Sequence, residues 1–164
     1  MKAIESKCSI GYCISLKYGE MKNILVTIDF TESEALLIDK AFEFAKSFDS
    51  KLWLMHVAAP DPDFVGYDVG PQYIRDIRAK KLRKEHKLIQ EYANTLKGKG
   101  VDSDGLLIEG ATVEMIIKES EKLNVELIIV GHHEHGFFYN LFEGSSSSKI
   151  IKRSKIPILI VPLS

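Results

Sequence analysis

From Ile24 onward the chain alternates short, β-branched apolar runs with longer stretches whose apolar residues recur every three or four positions. That repeated strand-then-helix pattern is the signature of parallel strands joined by crossover helices. Strands are expected at Ile24 to Ile28, Leu52 to Val57, Leu106 to Ile108 (with Val101 before it), Leu127 to Val130 and Ile158 to Val161. The first reads apolar almost throughout, as a strand covered on both faces should. With four intervening helices, the expected fold class is α/β: one open, parallel, five-stranded sheet with helices on both faces.

The helical stretches carry their own signals. Thr31-Glu32-Ser33-Glu34 has the form of a capping box, in which the Thr31 hydroxyl meets the Glu34 N–H and the carboxylate reaches back. The helix it opens places Ile38, Ala41, Phe42, Ala45 and Phe48 on one stripe. A second helix is expected from about Gln72 to Lys97, with Ile74, Ile77, Leu82, Ile89, Ala93 and Leu96 inward and Gly98 as its stop. Its basic stretch from Arg75 to Lys87 reads as a solvated face, because Asp76, Glu85 and Glu91 are interspersed and the inner stripe is ordinary core. A third helix carries Val113, Ile116, Ile117, Ser120 and Leu123 inward, and a fourth starts at Ser145 and runs to Arg153. The connection from Ala58 to Pro71, rich in Pro, Asp and Gly, exceeds what a strand-to-helix turn requires.

A length of 164 residues suits one domain with a real core. The formal net charge of −1 gives no electrostatic case for nucleic acid or membrane as the main partner. No apolar stretch approaches the ~20 residues that span a bilayer. Cys8 and Cys13 match neither a zinc site nor a disulfide framework, so a reducing cytoplasm is the simplest setting. Residues 1–20 form an N-terminal extension before a domain at 21–164, since Met21-Lys22-Asn23 resembles a second start.

Chemistry is expected where strand four ends. Gly131-His132-His133-Glu134-His135-Gly136 is followed after seven residues by Gly144 and Ser145 to Ser148, at the start of the last helix. A helix N-terminus carries unpaired N–H groups and partial positive charge, so it holds an anion. Glycine permits positive φ and close approach to the main chain, and serine adds hydroxyl donors. A flexible loop closed by an ordinary serine N-cap explains the same residues equally well. In an open parallel sheet the crevice lies beyond the carboxyl ends of the strands where strand order reverses, so Asp29, after strand one, and Gly131 face one pocket if their strands are neighbours. Val57, ending strand two, would add apolar contact to a base.

These features resemble the universal stress protein family. The resemblance spans Met21 to Leu163 and rests on the strand ending at Asp29, on His56-Val57, on Gly110 with Glu114, and on Gly131 to Ser145 followed by Pro157-Ile158-Leu159-Ile160-Val161. It implies the adenine nucleotide α-hydrolase-like sheet order 3-2-1-4-5, a homodimer paired through Ile158 to Val161, and ATP or a related adenine nucleotide, with or without magnesium. The family's phosphate motif is glycine, two residues, glycine, nine residues, then glycine and Ser or Thr. Gly131, Gly144 and Ser145 fall on it, but Glu134 stands where the second glycine belongs. By the same likeness Thr27, Asp29 and Val57 line the base and ribose, Val130 and Gly131 line the end of strand four, and Ser145, Ser146 and Ser147 lie against the phosphates.

Glu134 places a carboxylate and a β-carbon where the motif wants neither. His132, His133 and His135 beside it suggest a metal set, but adjacent residues of an extended loop point different ways, and no metal is assigned. No Walker-type lysine and serine pair and no Ser-His-Asp arrangement is present, so a dimeric binding module that senses nucleotide is preferred to an enzyme. A slow ATPase and a stress dimer that binds no nucleotide remain the alternatives. Partners other than a second copy are unknown; neither nucleic acid nor membrane is expected.

Overall fold

The computed structural model describes residues 21–30, 34–59, 72–132 and 154–163. The extension 1–20, Thr31 of the capping box, most of the 58–71 connection, Glu134, Gly144, Ser145 to Ser147 and the fourth helix lie outside them. Five strands, β1 (Asn23–Thr27), β2 (Lys51–Ala58), β3 (Ser103–Glu109), β4 (Leu127–His132) and β5 (Ile158–Pro162), alternate with helices α1 (Glu34–Phe48), α2 (Gln72–Gly98) and α3 (Thr112–Lys122). The strands form one sheet in the order β3-β2-β1-β4-β5, and every neighbouring pair is parallel.

Both faces of this sheet are packed, which is why its strands carry little polar residue. Ile24, Val26, Leu52, Leu54 and Ile129 meet Leu37, Ala41 and Ala45 of α1 and Ile89, Ala93 and Leu96 of α2 on one face. Leu25, Met55, Ile128 and Val130 meet Ile116 of α3 on the other. Strand periodicity of two sends neighbouring residues to opposite faces, so apolar side chains at successive positions are all consumed.

Three details depart from the sequence reading. Leu37 rather than Phe48 completes the buried stripe of α1, and Phe48 is exposed near the helix end. In α2 the buried residues are Ile89, Ala93 and Leu96, while Ile77 is 65% exposed. Ile77 lies on another face of the helix, about 120° round from Ile89 at about 100° per residue. The helix also overruns the sheet: α2 has 27 residues, about 40 Å at 1.5 Å each, whereas β2, with 8 residues, spans about 26 Å. The N-terminal half of α2 therefore has too little sheet to pack on. The left-handed residue that follows this helix is Gly100, with φ +86°, two positions beyond the expected stop. Val101 returns from there to donate to Leu96 O at 3.1 Å.

Candidate functional site

The chain leaves β1 through α1 to reach β2 on one side, and reaches β4 on the other side only after α3. Strand order thus reverses between β1 and β4, which pair directly from Ile24↔Leu127 to Val26↔Ile129. Asp29 and Gly131 accordingly stand at the carboxyl ends of neighbouring strands, the position at which open α/β sheets bind ligands.

Next to this switch point a cleft of about 270 Å³ opens over the ends of β1 and β2, with Asp29, His56, Val57 and Ala58 on its floor side and Arg78, Lys81, Leu82 and Glu85 of α2 as its wall. The volume is just below the ~300 Å³ at which small-molecule pockets begin, so the cleft suits only a small guest. Its lining mixes both charge signs with apolar surface. Arg78 lies 3.6 Å from Glu109 and 3.3 Å from Ala59 O.

His56 is fixed by the main chain. Its Nδ1 is 2.7 Å from the Ile28 carbonyl oxygen, which can only accept, so that nitrogen carries a proton. The other nitrogen, Nε2, faces Glu85 Oε2 at 3.9 Å, an ion pair only when the ring carries both protons. Glu85 Oε2 is buried without a hydrogen-bond partner, and Oε1 faces Lys81 at 3.7 Å. A long-range pair of this kind joins residues on a strand and a helix and leaves no local trace in the sequence.

The turn after β1 is held from beneath. Glu34, only 3% exposed, accepts the Phe30 N–H through Oε1 at 2.8 Å. The expected capping box had this carboxylate reach back to Thr31; it reaches one residue further, to Phe30, which adopts φ +58°. A non-glycine residue there is strained. Phe30 also packs its ring 4.6 Å from His56. Burial pushes the Glu34 carboxyl above its ordinary range, against the Phe30 N–H that favours the charged form, and the charge of Asp29 raises it further. Tyr92 beside the carboxylate favours its charged form, while Oε2 has no hydrogen-bond partner among the described residues. Burial and this carboxylate together raise the Tyr92 phenol as well.

The remaining sequence-derived residues fall as follows. Thr27 ends β1 and is half-buried, and Asp29 is exposed at the cleft. Val57 is half-buried, lining the cleft while packing on the α3 side of the sheet. The Val130 side chain is buried in that same core cluster, so only its main chain is available at the strand end. Gly131 does not adopt the positive φ expected of it. A β-carbon there would meet Leu163 Cδ1 at 2.4 Å and Leu37 Cδ2 at 3.3 Å, so close packing against α1 and the C-terminal segment accounts for this glycine.

A doubly covered parallel sheet of order β3-β2-β1-β4-β5 with a cleft beside its switch point defines the class of open α/β folds. Within that class, residues 20–162 match the model of the universal stress protein family, and the chain belongs to that family. Among relatives, a universal stress protein A homolog of Haemophilus influenzae is 29% identical over 145 residues, covering 87% of this chain and 96% of the relative. A universal stress protein solved in complex with cAMP superposes with a TM-score of 0.60 at 19% identity, over 88% of this chain and 98% of that one. The Archaeoglobus fulgidus universal stress protein solved in complex with dAMP gives 0.56 at 15% identity, over 85% and 96%. Such distant likenesses establish the shared fold. Among the described residues no helix is long and apolar enough to cross a membrane.

Proposed function

We propose that this chain is a stress-response module that binds an adenine nucleotide, ATP or AMP, and acts as a dimeric sensor or regulator. The observation that carries this reading is the cleft at the carboxyl ends of β1 and β2, beside the β1–β4 switch point, with Asp29 at its mouth. The cAMP and dAMP complexes of two structural neighbours support an adenine base as the guest. Thr27, Asp29, Val57 and the main chain of Val130 and Gly131 would contact base and ribose. Gly144 and Ser145 to Ser147 would meet the phosphates. The Asp29 carboxylate suits ribose hydroxyls, which donate to it.

Self-association belongs to the same reading. In the described sheet β5 is an edge strand, and Ile160 on it is 41% exposed. An apolar edge is a template for its twin, so the dimer would pair through Ile158 to Val161.

Calorimetry with ATP, ADP and AMP, with and without magnesium, on the parent and on Glu134→Gly tests the nucleotide. Binding by the parent is the expected result; absence of binding by either protein would sink the proposal. One observation favours a second reading, a universal stress dimer that carries no nucleotide. Glu134 occupies a motif glycine, and Gly131 is explained by packing alone. Binding only by Glu134→Gly would select that reading.

A further inference from the structure

The N-terminal half of α2 overhangs the sheet and presents a surface that neither the core nor the cleft uses. Tyr73, Ile77, Lys80, Lys84 and Lys87 recur at spacings of three and four, so they form one stripe, on the side of the helix away from Ile89, Ala93 and Leu96. Tyr73 and Ile77 are each 65% exposed, more than any other large apolar side chain among the described residues. Between Gln72 and Lys87 there are seven Lys and Arg residues but two acids, in a chain whose formal net charge is −1.

The two halves of the helix treat their charges differently. In the packed half Lys97 meets Asp104 at 2.8 Å, and at its edge Lys87 meets Glu91 at 3.6 Å. In the overhang Lys80, Arg83 and Lys84 have no ion pair or hydrogen bond among the described residues. Like charges gathered on one face repel, and two exposed apolar groups at the tip add nothing to solubility. The acids on this face stand at its two ends, Asp76 bonded to Gln72 and Glu91 on Lys87, so Lys80 and Lys84 between them are left unmatched.

We infer that this stripe docks an acidic, amphipathic segment of another protein, whose carboxylates meet Lys80 and Lys84 and whose apolar side chains cover Tyr73 and Ile77. Nucleic acid fits less well, because a phosphate backbone offers Ile77 nothing apolar to meet. A bilayer fits less well too, because two side chains bury too little for stable insertion when even one myristoyl chain is marginal. Charge complementarity on the lysine stripe would speed encounter and set register, while the apolar tip would add contact that charge alone cannot supply.

The test uses the full chain and a designed 16-residue helical peptide with Glu at i, i+4 and i+7 and two Leu one turn beyond. Its binding is followed by amide chemical shifts and calorimetry against polyglutamate, vesicles with anionic lipid and a DNA oligonucleotide. The expected result is shift changes confined to the first half of α2. Binding should weaken about tenfold in Lys80→Glu/Lys84→Glu and again in Tyr73→Ala/Ile77→Ala, with melting temperatures unchanged. Polyglutamate binding as tightly as the peptide, vesicles or DNA binding more tightly, unaltered affinity in both variants, or a lowered melting temperature in Tyr73→Ala/Ile77→Ala would each overturn it.

Discussion

The two ends of the β3-β2-β1 half of the sheet are built on opposite principles. Around Lys51, at the amino end, charges are matched: its ammonium meets Asp104 at 2.6 Å and Asp102 at 3.6 Å and lies 4.3 Å from the Trp53 ring centroid, while Lys97 closes the cluster on Asp104 at 2.8 Å. Trp53 donates to Asn23 Oδ1 at 3.1 Å, and Ser50 donates to the Met21 carbonyl. Around His56, at the carboxyl end, two buried carboxylate oxygens, Glu34 Oε2 and Glu85 Oε2, have no hydrogen-bond partner among the described residues, and Phe30 sits at φ +58°. Satisfied polar groups stabilise, whereas orphaned ones cost about 1–3 kcal/mol each. Left-handed backbone occurs at both ends, at Asp49 (φ +53°) before β2 as at Phe30, so it is the unsatisfied carboxylates that set the carboxyl end apart.

If the two ends divide stability from binding, variants should separate along the same line. The largest effect concerns Gly131, which either serves packing or serves a guest. Gly131→Ala should cost about 1–3 kcal/mol of stability, the usual penalty for overpacking, because its methyl would collide with Leu163. Combined with Leu163→Ala, the loss measured by urea denaturation should be smaller than the two single losses added together. Full additivity would remove the packing account and return the glycine to the ligand.

Asp29→Ala should give the reverse pattern. Asp29 is exposed, so stability should stay within about 0.5 kcal/mol of the parent. Nucleotide affinity should fall about tenfold or more, as expected for losing a hydrogen bond to a charged group. An unchanged affinity by calorimetry would detach this aspartate from the site, and a large drop in melting temperature would blur the division between the ends.

How much of this was legible in the sequence follows from which forces are local. Apolar runs such as Ile24 to Ile28, polar only at Thr27, and Leu127 to Val130 announced the strands because burial on both faces leaves almost no polar position in them. The exposure of Ile77 was legible but misread, since at about 100° per residue it falls away from Ile89 and Ala93; the overhang of α2 was not legible, since periodicity does not say where the sheet ends. The placement of Asp29 and Gly131 at the ends of neighbouring strands was readable, because each follows an apolar run, but the expected shared pocket is not what the cleft shows, since its lining takes Asp29 and no residue of β4. The Glu34–Phe30 and His56–Glu85 contacts were not: the first moved one residue from the capping pattern, and the second joins positions far apart in the chain.

Glu34 offers a pH test of the unmatched end. Burial raises its carboxyl, so the folded protein favours the protonated form; the stability this confers is complete below the ordinary value of 4.5 and is lost as pH rises through the raised one. Glu34→Gln, which cannot ionise, should therefore be relatively more stable at pH 8 than at pH 4, by a margin on the order of 1 kcal/mol. Thermal melts of both proteins across that range would show it, and parallel profiles would contradict it.

Asp104 should show the opposite sign and the smallest size. Its hydrogen bond to Lys51, then that to Lys97, holds the carboxyl below its ordinary value of 3.8. The stabilisation is therefore present above that value and disappears as pH falls through the lower, folded one. Asp104 is 38% exposed, so solvent screening limits the effect to roughly 0.5 kcal/mol. Asp104→Asn should accordingly lie slightly below the parent in stability at pH 7, converge with it as pH falls below the lowered folded value, and lose most of its difference in high salt. Nucleotide affinity should not change with it, because the cluster stands at the opposite end of the strands from the cleft. A nucleotide affinity that followed Asp104 would mean that the two ends are coupled through β2 and β3, and that the matched cluster sets the geometry of the unmatched one.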